Sequence, residues 1–219
     1  MRARLTPLAE CATPVPMDPI GDIRCSKRAQ IIDAGVREFQ EKGFAAASMD
    51  QVSARAGVSK RTVYKYFESK ENLFLSIVDV MSERMADTLD ISYVPGRPVR
   101  DQLHALATAE GEILTSPDAM AMARMLISET LRNPEMASAA QGKIDKKAVF
   151  AAMLRDADAD GQLRVPDPDV AADEFVALIK AKAFWPVIFG AEILSDAEMA
   201  VIVDASVDIM MSHYASDRT

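Results

Sequence analysis

Apolar residues recur along this chain at intervals of three and four, not two, from Ser26 almost to the end. That spacing lays them along one stripe of an α-helix, and no stretch sustains the alternation a half-buried strand needs. Ile32, Val36 and Phe39 mark a first helix over 26–42, which Gly43 stops and the apolar Phe44 follows. Ser48 opens a short second helix, with Gln51 completing a capping-box pattern, and the helix ends before Gly57. A third short helix spans 59–66. A longer one starts at Ser69–Lys70, and its stripe of Leu73, Ile77, Val80, Met81 and Met85 carries it to 91. Pro95–Pro98 reads as a linker. Behind it, helices are expected over 99–115, 117–131, 135–157, 168–190 and 196–214. Ser116-Pro117 and Asp167-Pro168 each set a capping side chain before a proline in the first turn, and Ser195 with Glu198 repeats the capping box. Asp160-Gly161 marks the turn before the penultimate helix. Residues 1–23, rich in Pro and Ala and without period, read as a mobile tail, with Met17 an alternative start.

Composition narrows the class. With 49% apolar residues in 219, the chain can bury a substantial core. No apolar run approaches the ~20 residues of a membrane span. Pro7, Pro14, Pro16 and Pro19 break any signal-peptide core, so the expected location is the cytoplasm. Cys11 and Cys25 are too few for a disulfide framework and have no spaced histidine partner, so no metal and no other cofactor is expected. With two histidines, and without an HExxH, a Gly-rich phosphate loop or a local nucleophile signature, an enzyme is not expected either.

The net charge of −8 at first disfavours a polyanionic partner, but its distribution reverses that inference. Residues 24–75 carry Arg24, Lys27, Arg28, Arg37, Lys42, Arg55, Lys60, Arg61, Lys65 and Lys70 against Asp33, Glu38, Glu41, Asp50, Glu68 and Glu71. The remainder of the chain is strongly acidic. A compact basic module on an acidic body suits a polyanion bound at one end.

Within that module lies the informative stretch SMDQVSARAGVSKRTVYKYFESK, from Ser48 to Lys70. Two short helices meet at Ala56-Gly57-Val58, where glycine supplies the left-handed turn of a helix-turn-helix. Val52, Val58, Val63 and Phe67 form the inner face, with Ser53 and Ala56 small at the crossing. Outward on the second helix stand Ser59, Lys60, Arg61, Thr62, Tyr64, Lys65 and Tyr66. Three cations, two phenols and two hydroxyls have no use in a core. They suit a helix lying in the major groove of double-stranded DNA. A protein-interaction element is the alternative use of the same motif.

Residues Gly57–Phe74, GVSKRTVYKYFESKENLF, resemble the N-terminal signature of TetR-type repressors, the likeness covering 26–75. The resemblance implies a three-helix DNA-binding domain, a homodimer and a palindromic operator. It implies base or groove-wall contacts for Lys60, Arg61, Thr62 and Tyr64, and phosphate contacts for Ser48, Tyr66 and Lys70. Arg61 stands where many relatives carry Gly or Pro, so base preference does not transfer there, and Ser53 replaces a more usual Ala.

Such regulators hold a small-molecule pocket behind this domain and pair through their last two helices. The stripes Val176, Ile179, Ala183, Val187 and Met199, Val203, Val207, Met210 fit either that intermolecular four-helix bundle or burial inside the monomer. The segment FWPVIFGAE, Phe184–Glu192, is similar to the AefR-like subgroup, and Pro186 is expected to kink its helix and open a cavity near Trp185. Met120, Met122 and Met125 with Met81 and Met85 suit either a pliable ligand lining or ordinary core. The expected cavity is bounded by Met81, Met122, Met125, Phe184, Trp185 and Phe189, with His104 at its polar end and Glu110 a second candidate handle.

The expectation is therefore an all-α protein of three parts: the tail at 1–23, a helix-turn-helix domain at 24–75, and a larger helical ligand-binding and dimerisation domain at 76–219. Its expected function is transcriptional regulation, as a repressor released from its operator by an apolar or amphipathic small molecule. The alternative is a helical interaction or ligand-binding protein without an operator.

Overall fold

The computed structural model describes residues 26–144 and 147–216; the tail at 1–23 and both cysteines lie outside the described residues. Helices account for most of it: α1 (Lys27–Ala46), α2 (Met49–Arg55), α3 (Lys60–Tyr66), α4 (Lys70–Thr88), α5 (Val99–Leu114), α6 (Pro117–Arg132), α7 (Pro134–Ile144), α8 (Lys147–Ala159), α9 (Pro168–Ala183), α10 (Trp185–Ile188) and α11 (Asp196–Tyr214). The described residues form no strand beyond an isolated bridge between Leu163 and Ala215. Among them no helix is long and apolar enough to cross a membrane.

The chain folds into two compact units. One takes 26–82 with 121–144 and the other 83–120 with 147–216. Within 135–157 the described residues are helical on both sides of 145–146, as α7 and α8. The helix expected over 168–190 stops at Ala183, turns through Phe184 at φ −100° and ψ −59°, and resumes as α10. Pro186, expected to kink this helix, explains the interruption, because it offers no N–H to the preceding turn and its ring crowds that carbonyl.

In the first unit, α1 packs closely on α4. A side-chain carbon at Gly35 would lie 3.0 Å from the Leu73 methyl, so the leucine would have to shift to admit one. Phe39, Phe44 and Phe74 pack around one another with ring centroids 5.2–6.1 Å apart. Gly43, at φ 73°, breaks the regular course of α1, which lets Phe44 fold back into that cluster. The Lys70 ammonium donates to the carbonyls of Phe44, Ala45 and Ala47, at 2.7, 3.2 and 3.1 Å, and also lies over the Phe44 ring. It thereby satisfies acceptors that the end of α1 leaves open.

In the second unit, α8 and α9 meet through the edge-to-face pair Phe150–Phe175, and α11 lies on α5 and α9. Gly111 lets α5 approach Met199, whose Cγ would be 2.8 Å from any added side-chain carbon. The segment between α4 and α5 is pinned, not free. Gln102 bonds the backbone of Val94 and Arg97, and Gln162 bonds Val99 N–H, the Arg97 carbonyl and the Tyr93 hydroxyl. Tyr93 in turn donates to Asp160, 2.6 Å away. Partial burial and the neighbouring carboxylate push the Tyr93 phenol up to about 12.

The stripes offered for an intermolecular bundle are used inside this unit. Ile179, Ala183, Val187, Met199, Val203, Val207 and Met210 are buried, with Val176 packed partly buried against them. The same helices leave Val170, Trp185, Phe189, Val201 and Ile209 exposed.

Candidate DNA-binding surface

The geometry of α3 follows from its two neighbours. α2 is capped by the Ser48 hydroxyl, which accepts from Gln51 N–H at 3.2 Å. It ends in a Schellman arrangement, Val58 N–H to Ser53 carbonyl and Gly57 N–H to Ala54 carbonyl, with Gly57 at φ 64°. The turn then delivers Ser59, whose hydroxyl accepts from Thr62 N–H at 3.1 Å and lies 2.8 Å from the Thr62 hydroxyl. Val63 is wholly buried and Phe67 nearly so, which fixes the rotation of α3. Arg28 lies over the outer side of the Phe67 ring, 5.6 Å from its centroid.

A brace holds α2 on α1. Arg55 donates to both Glu41 oxygens, at 2.9 and 2.6 Å, and reaches the Glu38 carboxylate at 3.4 Å. Those hydrogen bonds hold the Glu41 carboxyl below its ordinary range and raise the Arg55 guanidinium. Glu38 is only 2% exposed, so the guanidinium is its route to a satisfied charge.

With its inner edge fixed, α3 turns Lys60, Arg61, Tyr64, Lys65 and Tyr66 to solvent, as their types predict. Two of the expected DNA contacts have internal duties. Lys70 is the carbonyl cap of α1 just described, and Ser48 is the cap of α2. Ser59 and Thr62 are engaged with each other. Lys60 is tied to Asp50, its ammonium 2.6 Å from the carboxylate, both side chains exposed. The sequence reading did not single out Asp50, Arg28 or the Arg55 brace. Their partners lie ten to forty positions away with no periodic relation, so only the tertiary fold brings them together.

The seven residues expected to bound a ligand cavity fall in both units. Met122 and Met125 are buried in the first unit's core and Met81 is half-buried against it. In the second, His104 is exposed on the outer side of α5, because Leu103 and Leu106 claim the inner side. Its Nε2 lies 3.1 Å from Asp204 on α11. Phe184 is half-buried and packs edge-on against Trp185, which stacks on Phe189; the last is 84% exposed. Glu110 is buried and pairs with Lys180 at 3.5 Å. A cleft lies within the first unit, between the end of α1 and one face of α6.

Comparison with known proteins places this architecture. Residues 31–77 match the model for bacterial regulatory proteins of the tetR family, and 101–216 match the C-terminal domain of AefR-like transcriptional repressors. A TetR family transcriptional regulator from Pseudomonas syringae pv. tomato is 35% identical, with 86% of this chain and 97% of that one superposing at a TM-score of 0.74. The flavonoid-responsive regulator FrrA is 27% identical over 88% of this chain and 98% of its own, at a TM-score of 0.72. The HTH-type regulator YhgD of Bacillus subtilis is 31% identical over 78 residues, 36% of this chain and 41% of its own length. The chain thus spans about two-fifths of that curated relative. A capped helix-turn-helix with a basic outer face, continuous with a helical body that matches over more than half the chain, leaves one assignment: the chain belongs to the TetR family of bacterial transcriptional regulators and carries an AefR-like C-terminal domain.

Proposed function

We propose that the chain is a homodimeric repressor that binds a palindromic operator through α3 and is released by a small organic molecule. The observation that carries this reading is the outward face of α3, where Lys60, Arg61, Tyr64, Lys65 and Tyr66 stand exposed on a helix held rigidly by Val63, Phe67 and two caps. Arg61 and Tyr64 reach base edges or the groove wall, and Lys65 and Tyr66 reach phosphates. A dimer places two such helices one DNA turn apart, ~34–36 Å. Exposed apolar positions at helical spacing on α11, Ala197, Val201 and Ile209, support pairing through that face, continued by Trp185 and Phe189 beyond α9. The match to a repressor C-terminal domain supports the sign of regulation, and the flavonoid-responsive neighbour supports an organic effector.

The test is fluorescence anisotropy with operator fragments selected from genomic DNA. Affinity should fall on the order of a hundredfold over a three- to four-fold rise in salt, as displaced counterions require. A protein that retards no fragment, or binds independently of salt, overturns the reading in favour of an interaction protein.

A further inference from the structure

The cleft in the first unit has a lining unlike ordinary surface. It is a half-open cleft of about 440 Å³ between the Gly43 end of α1 and the Ala121–Arg132 face of α6. Among its apolar lining residues, Phe44 and Met125 keep a small part of their surface open, while Phe39 is wholly buried behind them. Its polar lining carries three cations, Lys42, Arg124 and Arg132, against a single carboxylate, the buried Glu129. Lys42 and Arg132 are exposed at the opening. We infer that this cleft binds a small organic carboxylate with an apolar body, seated on Phe44 and Met125 and with its charge held by Lys42 and Arg132.

The position gives such a ligand a lever. Phe44 packs on Phe74, and its carbonyl is held by Lys70, the first residue of α4. An occupant pressing on Phe44 therefore acts on the contact that fixes α1 and α4 beneath the helix-turn-helix. Occupancy weakens operator binding, a consequence that rests on the DNA-binding reading above.

Titration calorimetry with decanoate, and with decanol as its neutral counterpart, tests the site without DNA. The wild type should bind decanoate at this cleft at least tenfold more tightly than decanol. The double variant Lys42→Glu/Arg132→Glu, both surface positions, should lose decanoate affinity tenfold or more while keeping its circular dichroism and its decanol affinity. Ala121→Trp, which fills the wall, should lose both ligands. Decanoate that fails to bind the wild type, or binds the double variant equally well, overturns the site. In a second arm, decanoate should weaken operator affinity in the wild type and not in the double variant, and equal operator affinity with and without decanoate overturns the lever. A protein that binds no DNA removes the operator reading and leaves the calorimetric result to decide the site.

Discussion

α3 and α11 each present an outward face that the chain's own core leaves unused, and they are made of opposite materials. α3 has seven residues and only Val63 is buried within it; its outer face is cations and phenols. α11 has nineteen residues, with Met199, Val203, Val207, Met210 and Tyr214 facing inward and Ala197, Val201 and Ile209 facing outward. A polar recognition face announces its purpose by residue type, because nothing in a core needs three cations in seven residues. An apolar one does not, because both sides of the helix carry the same kind of side chain. The two valines two positions apart on α11 make the point: Val203 is 1% exposed and Val201 is 68% exposed.

Those valines provide the largest expected contrast. Val203→Asp puts an unpaired carboxylate in the core and should cost several kcal/mol, enough to unfold a marginal unit. Val201→Asp should leave the melting curve of the monomer nearly intact and dissociate the dimer. Thermal melts followed by light scattering separate the outcomes, and a Val201→Asp protein that remains dimeric moves the interface off α11.

Next in size is the brace beneath α3. Arg55→Ala leaves Glu38 buried without its guanidinium, and a clear fall in the urea midpoint is expected. Glu41→Gln, removing only the exposed partner, should move the midpoint little. Equal losses would mean that burial of Glu38 is not what makes the brace matter.

Reading by α3 comes third. Arg61→Ala should cost ~1–3 kcal/mol per half-site and relax preference at one symmetric operator position. Lys65→Ala should weaken cognate and random DNA alike. Lys70→Met should act differently from both, lowering stability through the uncapped carbonyls of α1 before it changes affinity. If Lys70→Met keeps full stability and lowers affinity uniformly, its phosphate role outweighs its capping role.

The smallest effect concerns Asp50. Asp50→Asn frees the Lys60 ammonium, and non-specific DNA should then bind a few-fold tighter, the scale of ~0.2–1 kcal/mol for an exposed pair. Anisotropy with random-sequence duplex checks it. An unchanged affinity would show that the pair already opens at no cost.

How much of this was legible in the sequence depends on the kind of interaction. Helix positions and both inner faces around Gly57 were legible, because periodicity and caps are local. The outward set on α3 was legible for the reason already given. Whether Ile179, Val203 and Val207 enter the chain's own core or a bundle between chains was not legible, because periodicity finds a stripe without saying whose core it enters. Lys70 was assigned to phosphate by motif position, and its three carbonyl partners lie 23–26 residues away, beyond any local signal.

Val94-Pro95-Gly96-Arg97-Pro98 has the composition of a joint into which extra residues are usually spliced without harm. Its carbonyls and N–H groups are instead counted out to the side chains of Gln102 and Gln162, and through Tyr93 to Asp160. The length of this joint is consequently set by two glutamines more than by the ends of the helices it connects. A single glycine added after Pro95 would lengthen the span between Val94 and Gln102, whose amide bonds both the N–H and the carbonyl of Val94. For anyone fusing a reporter into the chain, the stretch that looks most permissive is the one to leave alone.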